Sequence, residues 1–132
     1  LDELWTLLAD KKIGDSKWEA YTEGGRERTG VDAIEWIKKA ISLGAGEIMI
    51  TSIDQDGTRK GYDLELVRTV SSFSSVPVIA HGGAGNPDHL KRVIIDGRAD
   101  AVSASSIYHY GDSKISDVKK TLAADGIAVR LL

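Results

Sequence analysis

The chain has no cysteine, which excludes disulfide bridges, thiolate metal ligands and thiol nucleophiles. It has no excess of positive charge: the formal net charge is -3 and the pI is near 5.6. A nucleic-acid binder driven by phosphate neutralisation is therefore not expected, although a local site for a small phosphate is compatible with this balance. Histidine is scarce, and His81, His89 and His109 are scattered rather than set at metal-ligand spacing, so no metal site is expected and no cofactor is called for. No apolar run approaches the ~18–20 residues of a membrane span, and the start does not resemble a signal peptide. The expectation is a cytoplasmic protein with no membrane partner.

What is present is an ordinary soluble balance, 42% hydrophobic and 28% charged, over a length of 132 residues that suits one domain, residues 1–132. No low-complexity segment or linker divides it. Leu4 to Ala9 is an apolar run closed by Asp10-Lys11-Lys12; it reads as a buried strand, or as part of a helix begun at Leu1, and its length and charged stop favour the strand. Ile13 to Gly30 carries Trp18 to Thr22 between glycine-rich turns, a short hairpin or strand on a long loop, and long loops are often functional. From Val31, the residues Val31, Ile34, Ile37 and Ile41 recur at helical spacing up to a C-terminal Gly44.

Glu47 to Ile50 is a second apolar strand, and Thr51 to Asp63 is the loop that joins it to a helix capped by Asp63 and running to about Ser72. Val76 to Ala80 is a third strand, followed by the loop His81-Gly82-Gly83-Ala84-Gly85 and a helix opened by Asn86-Pro87, with Leu90, Val93 and Ile94 facing inward. Ala99 to Ser103 is a fourth strand. After it, Ala104-Ser105-Ser106 lead into a short turn, a helix from about Ser116 to Ala124 and an apolar tail from Ile127 to Leu132. Four strand–helix repeats whose strands are too apolar to be half exposed predict an α/β fold with a parallel sheet under helices. The closure is either an open sheet or half of an eight-stranded barrel, which normally needs ~250 residues. A lone (βα)4 unit leaves two edges unpaired, so something should complete it.

The glycines at 82, 83 and 85 follow a strand and precede a helix, where backbone N–H groups can approach an anion closely. A tight turn is the plainer reading, but one glycine would satisfy that. Ser105 and Ser106 offer hydroxyls and N–H groups on the next loop, against a plain role in capping and small-residue packing, and in barrels the last two such loops often share one phosphate. Asp10 ends the first strand, and Asp54 and Asp56 lie just past the second. With all strands parallel, these carboxylates point into one crevice, where burial or like charge would raise a pKa toward acid/base use. The plainer reading is that loop aspartates cap turns or helices: Asp54 is the likeliest to be structural, and Asp56-Gly57 to mark a plain turn. Glu47 lies at the opposite end of its strand, either exposed or part of a polar gate, and sequence favours exposure. Trp5, Trp18 and Trp36 lie on three elements and suit packing rather than a stacking platform.

Gly44 to Ile48, Thr51 to Thr58, Gly61 to Leu66, Pro77 to Gly85 and Ala99 to Ala101 together resemble the C-terminal half of the cyclase subunit of imidazole glycerol phosphate synthase. The likeness runs over nearly the whole chain from Asp10, with Tyr21-Thr22 and Leu122 to Arg130 included. It implies a (βα)4 half of a TIM (β/α)8 barrel, equivalent to strands 5–8. The implied reaction takes ammonia from a partner glutaminase, on the N-terminal face of the complete barrel, to convert a phosphoribulosyl formimino-aminoimidazole carboxamide nucleotide into imidazole glycerol phosphate and aminoimidazole carboxamide ribotide. By the same resemblance, Asp10 corresponds to a catalytic acid/base, and Thr51 and Asp56 line the reacting end. Gly82, Gly83, Ser105 and Ser106 correspond to a substrate-phosphate site, and Glu47 to an ammonia gate.

Two departures stand out. The family's other catalytic aspartate and other phosphate site belong to an N-terminal half that this sequence does not contain. His81 stands where serine is common, which places an imidazole near the substrate. Cyclase-like relatives that install an ammonia-derived group on sugar nucleotides for surface polysaccharides keep a second substrate class open. A non-catalytic phosphate-binding half-barrel that pairs with a second copy is the contrasting expectation.

Overall fold

A computed structural model describes residues 7–131. Three strands come first, β1 (Leu7–Gly14), β2 (Lys17–Thr22) and β3 (Glu27–Asp32), followed by α1 (Ala33–Ser42). Then come β4 (Ile48–Ser52), α2 (Leu64–Phe73), β5 (Val78–His81), α3 (Pro87–Ile95), β6 (Ala101–Ser103), the single-turn α4 (Ser106–His109) and α5 (Ile115–Ala124). They form one sheet in the order β3-β2-β1-β4-β5-β6. From β1 through β4 and β5 to β6 every pairing is parallel and follows chain order. A doubly wound sheet reverses its strand order at a switch point, and a barrel does not, so these four strand–helix units form a partial barrel.

The parallel sheet carries an antiparallel extension. Residues 13–30, expected as a loop with one short strand or hairpin, form β2, β3 and the end of β1. Asp10-Lys11-Lys12 do not stop β1, because they pair with Ala20, Glu19 and Trp18 of β2. Every residue of β3 is exposed, so this strand carries no hydrophobic alternation that a sequence reading could detect. Its interior anchor is Trp18 on β2, fully buried, whose Nε1 donates to Asp63 Oδ2 at 3.1 Å. Leu4 to Thr6, including Trp5, and any helix begun at Leu1 lie outside the described residues.

Helix boundaries follow their caps. Asp32 accepts from the Glu35 N–H and starts α1, so Val31 belongs to β3 and α1 buries Ala33, Ile37 and Ala40 instead. At its end the Gly44 N–H reaches Ile41 O at 3.0 Å and the Ala45 N–H reaches Ala40 O at 3.1 Å, a Schellman closure that uses Gly44 at φ 99°. Asp63 caps α2 through the Leu66 N–H, and Asn86 caps α3 through the His89 N–H with Pro87 in the first turn, as the residue types predict.

The core lies between the sheet and these helices. Ile48, Ile50, Val78 and Ala80 are buried with Leu66, Val67 and Val70 of α2 and Leu90 and Val93 of α3. The alternate strand residues Met49 and Ile79 are only half-buried and Ala101 is exposed. The parallel strands are therefore half exposed in this chain, contrary to expectation: helices cover one face, and the other, which becomes the lumen in a closed barrel, is open.

Candidate functional site

Strand register selects which side chains meet. Ala9 pairs with Thr51, Thr51 with His81, and His81 with Ser103. Paired residues on adjacent strands share a face, so Thr51, His81 and Ser103 form one row on the open face at the C-terminal ends of the strands. Thr51 Oγ1 lies 3.1 Å from His81 Nδ1. From behind, the buried Tyr62 hydroxyl donates to Ser103 O at 2.9 Å. Burial, then the nearby Tyr108, pushes the Tyr62 hydroxyl above its ordinary range, which keeps it protonated as a donor.

Beside this row is a small polar recess, lined by Asp56, by His81 to Ala84 and by Ser103 to Ser106. Its walls are held by two interlocked loops. The Gly61 N–H donates to Gly83 O at 2.7 Å, and a Cβ on Gly83 would stand 2.1 Å from Gly61 O. A Cβ on Gly85 would stand 2.0 Å from Arg59 O. Here the glycines let one backbone cross another, a requirement independent of any ligand. The crossing loop begins with the Asp56 N–H donating to Ser52 O at 2.8 Å, and it brings Asp56 against Gly82, whose Cβ would meet Asp56 Cβ at 3.3 Å. Farther along, Arg59 pairs with Asp112 and lies 5.7 Å over the Tyr110 ring, tying the loop to the segment after α4.

The expected single crevice of aspartates does not form. Asp10 pairs with Ser52, not Thr51, so register sends its side chain to the helix-covered face, opposite the recess row. There it is fully buried, with no hydrogen-bond partner for either carboxyl oxygen among the described residues. Burial, then the neighbouring Asp63, pushes its pKa up from 3.8 to about 8. Asp54 accepts the Lys12 N–H at 2.8 Å and is a structural tie, as its loop position suggested. Only Asp56 of the three lines the recess. Glu47 is exposed in the turn before β4 rather than on the strand, at the end of the sheet away from the recess.

His89 is not part of the site, since its Nδ1 accepts the Gly85 N–H at 3.1 Å. Gly82, Gly83, Ser105 and Ser106 all line the recess, as the sequence pattern grouped them. Ser103 and Tyr62 went unrecognised. Ser103 was detectable from strand alternation, two residues before Ser105, but Tyr62 acts from behind the sheet and leaves no local signal. Among the described residues, no group of His, Asp or Glu is arranged to hold a metal, and no helix is long and apolar enough to cross a membrane. A larger groove lies at the opposite, N-terminal end of the strands, with Ser71, Ser74, Pro77 and Arg98 among its walls. Its carboxylate, Asp100, is engaged by the Val78 N–H at 2.9 Å.

Parallel strands in chain order, with a polar recess where consecutive strand-to-helix loops meet, define a protein of the (βα) barrel class with its site at the C-terminal ends of the strands. Residues 6–114 match the family model described as Histidine biosynthesis protein. The chain belongs to that family, whose members are TIM-barrel isomerases and cyclases of histidine biosynthesis.

Proposed function

We propose that this chain is the C-terminal half of a cyclase barrel of the imidazole glycerol phosphate synthase type. In this reading the completed barrel takes ammonia from a glutaminase subunit and acts on the phosphoribulosyl formimino-aminoimidazole carboxamide nucleotide, releasing imidazole glycerol phosphate and aminoimidazole carboxamide ribotide. The observation that carries it is the recess, where the glycine loop after β5 and the serine loop after β6 meet beside the Thr51–His81 pair. One substrate phosphate sits against Gly82, Gly83, Ser105 and Ser106, with the reacting end toward Thr51 and Asp56. Glu47, at the far end of the strands, is the gate for ammonia.

Ammonia addition, bond cleavage and ring closure all move protons, and Asp10 is the acid/base. A buried carboxyl with no partner has no structural task, and one whose pKa is pushed to about 8 holds a proton that it can give up near neutral pH. In this chain the Asp10 side chain faces away from the recess, so the role requires β1 to shift by one residue against β4 when the barrel is completed.

The test is to combine the chain with an N-terminal half-barrel that carries a first-strand aspartate, and to supply substrate with ¹⁵N-ammonium. Labelled imidazole glycerol phosphate is expected. Conversion of the phosphoribosyl precursor by isomerisation, with no ammonia consumed, would contradict the cyclase reading and favour the other activity of the family. One observation favours a second reading: the open face of Met49, Ile79 and Ala101 suits pairing with another copy, a non-catalytic phosphate-binding assembly. A monomeric mass in solution would count against it.

A further inference from the structure

We infer that His81 is the residue that brings positive charge to the recess, and that the recess takes a phosphate dianion tightly only when this imidazole is protonated. This rests on reading the recess as a phosphate site, and it adds which ligand charge the site selects and when.

Among the described residues, the lining includes no lysine and no arginine. The two that can change charge are Asp56 and His81. Asp56 stands against Gly82, so an ionised carboxylate opposes an incoming dianion at the wall where the glycine loop would receive it. Serine hydroxyls are neutral donors and bring no positive charge of their own. An imidazole is the side chain that changes charge between about pH 5 and 8, and His81 is the one that lines the recess.

The ring is held for this use. Thr51 Oγ1 lies 3.1 Å from His81 Nδ1, and a hydroxyl both donates and accepts. With the ring neutral, the bond runs in either direction according to the tautomer, Thr51 Oγ1 donating to Nδ1 or accepting from Nδ1–H. With the ring protonated, Nδ1–H donates to Thr51 and Nε2 also carries a proton. Protonation therefore adds charge while the contact with Thr51 is kept.

The surrounding groups leave His81 as the switch. On the open face, Ser103 flanks it on β6 and is neutral. Lys11 and Glu19 lie out on the hairpin, and Glu19 is already engaged by Arg28 and the Gly30 N–H. On the covered face, Asp10 stays uncharged below about pH 8, and Tyr62 is committed to Ser103 O. From α3, His89 is committed to the Gly85 N–H.

Sulfate is the suitable probe, because it remains a dianion from pH 5.5 to 8.5 while phosphate itself titrates. Sulfate binding to the 132-residue chain is expected to be about fivefold tighter at pH 5.5 than at pH 7.5, a window that ends below the titration of Asp10. By the same linkage, saturating sulfate should raise the midpoint of the His81 ring resonances by about one pH unit. His81→Gln should bind weakly with no pH dependence over this range. If that variant does not fold, the ring midpoint of the unmodified protein decides alone. Sulfate binding that ignores pH, an unmoved ring midpoint, or a pH slope that survives in His81→Gln overturns the role of His81 while leaving the phosphate site standing. Absence of sulfate binding at every pH removes both.

Discussion

Replacing Asp10 with asparagine should stabilise the protein, and the gain should grow with pH. The carboxyl is fully buried, neither oxygen has a partner among the described residues, and its pKa rises from 3.8 to about 8. The sign follows from where each state releases its proton. The unfolded chain ionises near 3.8, whereas the folded chain holds the proton until about 8, so stability is fully present below the lower value and is lost as pH rises between the two. At about 1.36 kcal/mol per pH unit, the loss reaches roughly 4 kcal/mol at pH 7 and about 6 kcal/mol above pH 8, as upper values. An asparagine amide in the same place carries its own burial cost of about 1–3 kcal/mol. The net gain for Asp10→Asn is then about 1–3 kcal/mol at pH 7, vanishing or reversing below pH 4. Urea denaturation from pH 4 to 8.5 measures it, as a midpoint difference that widens with pH at constant slope. A variant less stable than the parent at pH 7 to 8, or a difference that does not change with pH, refutes the reasoning. In the completed enzyme the same substitution should abolish turnover while leaving substrate affinity within a few-fold, the trade-off of a site that keeps a costly group for chemistry.

Gly83→Ala should cost about 2 kcal/mol or more, because its Cβ would collide with Gly61 O at a φ of 104° that side chains rarely adopt; an unchanged denaturation midpoint would mean that the loops do not cross as described. Loss of ligand binding in that variant therefore reports the fold before it reports a phosphate contact. Asp63→Ala should cost about 2 kcal/mol, combining the α2 cap with the Trp18 hydrogen bond, and a loss below about 0.5 kcal/mol would show that neither contributes. The exposed Lys12–Glu65 pair, by contrast, should contribute under about 1 kcal/mol, so Glu65→Gln should barely move the midpoint.

The four parallel strands and the helices between them were legible because their apolar periodicity and end signals are local. Asp63, Asn86-Pro87 and Gly44 fixed helix ends within a residue or two. The grouping of Gly82, Gly83, Ser105 and Ser106 was legible too, since strand-to-helix loops of neighbouring parallel strands must lie side by side. The hairpin of β2 and β3 was not, because β3 is solvated on both faces and Lys11 and Lys12 look like a strand's end. The facing of Asp10 was not legible either. It depends on whether Ala9 or Asp10 stands opposite Thr51, and a one-residue change in register exchanges the faces of a whole strand. The crossing of the 59–61 and 83–85 segments is a long-range contact; locally, the same glycines read only as a turn or a cradle.

The most direct test of the central claim is to titrate inorganic phosphate into the ¹⁵N-labelled chain at pH 6 and follow every backbone amide. The account predicts saturable shifts centred on Gly82, Gly83, Ser105 and Ser106, at the C-terminal ends of the strands. Shifts centred instead on Ser71, Ser74 and Arg98, in the groove at the other end of the sheet, would contradict it.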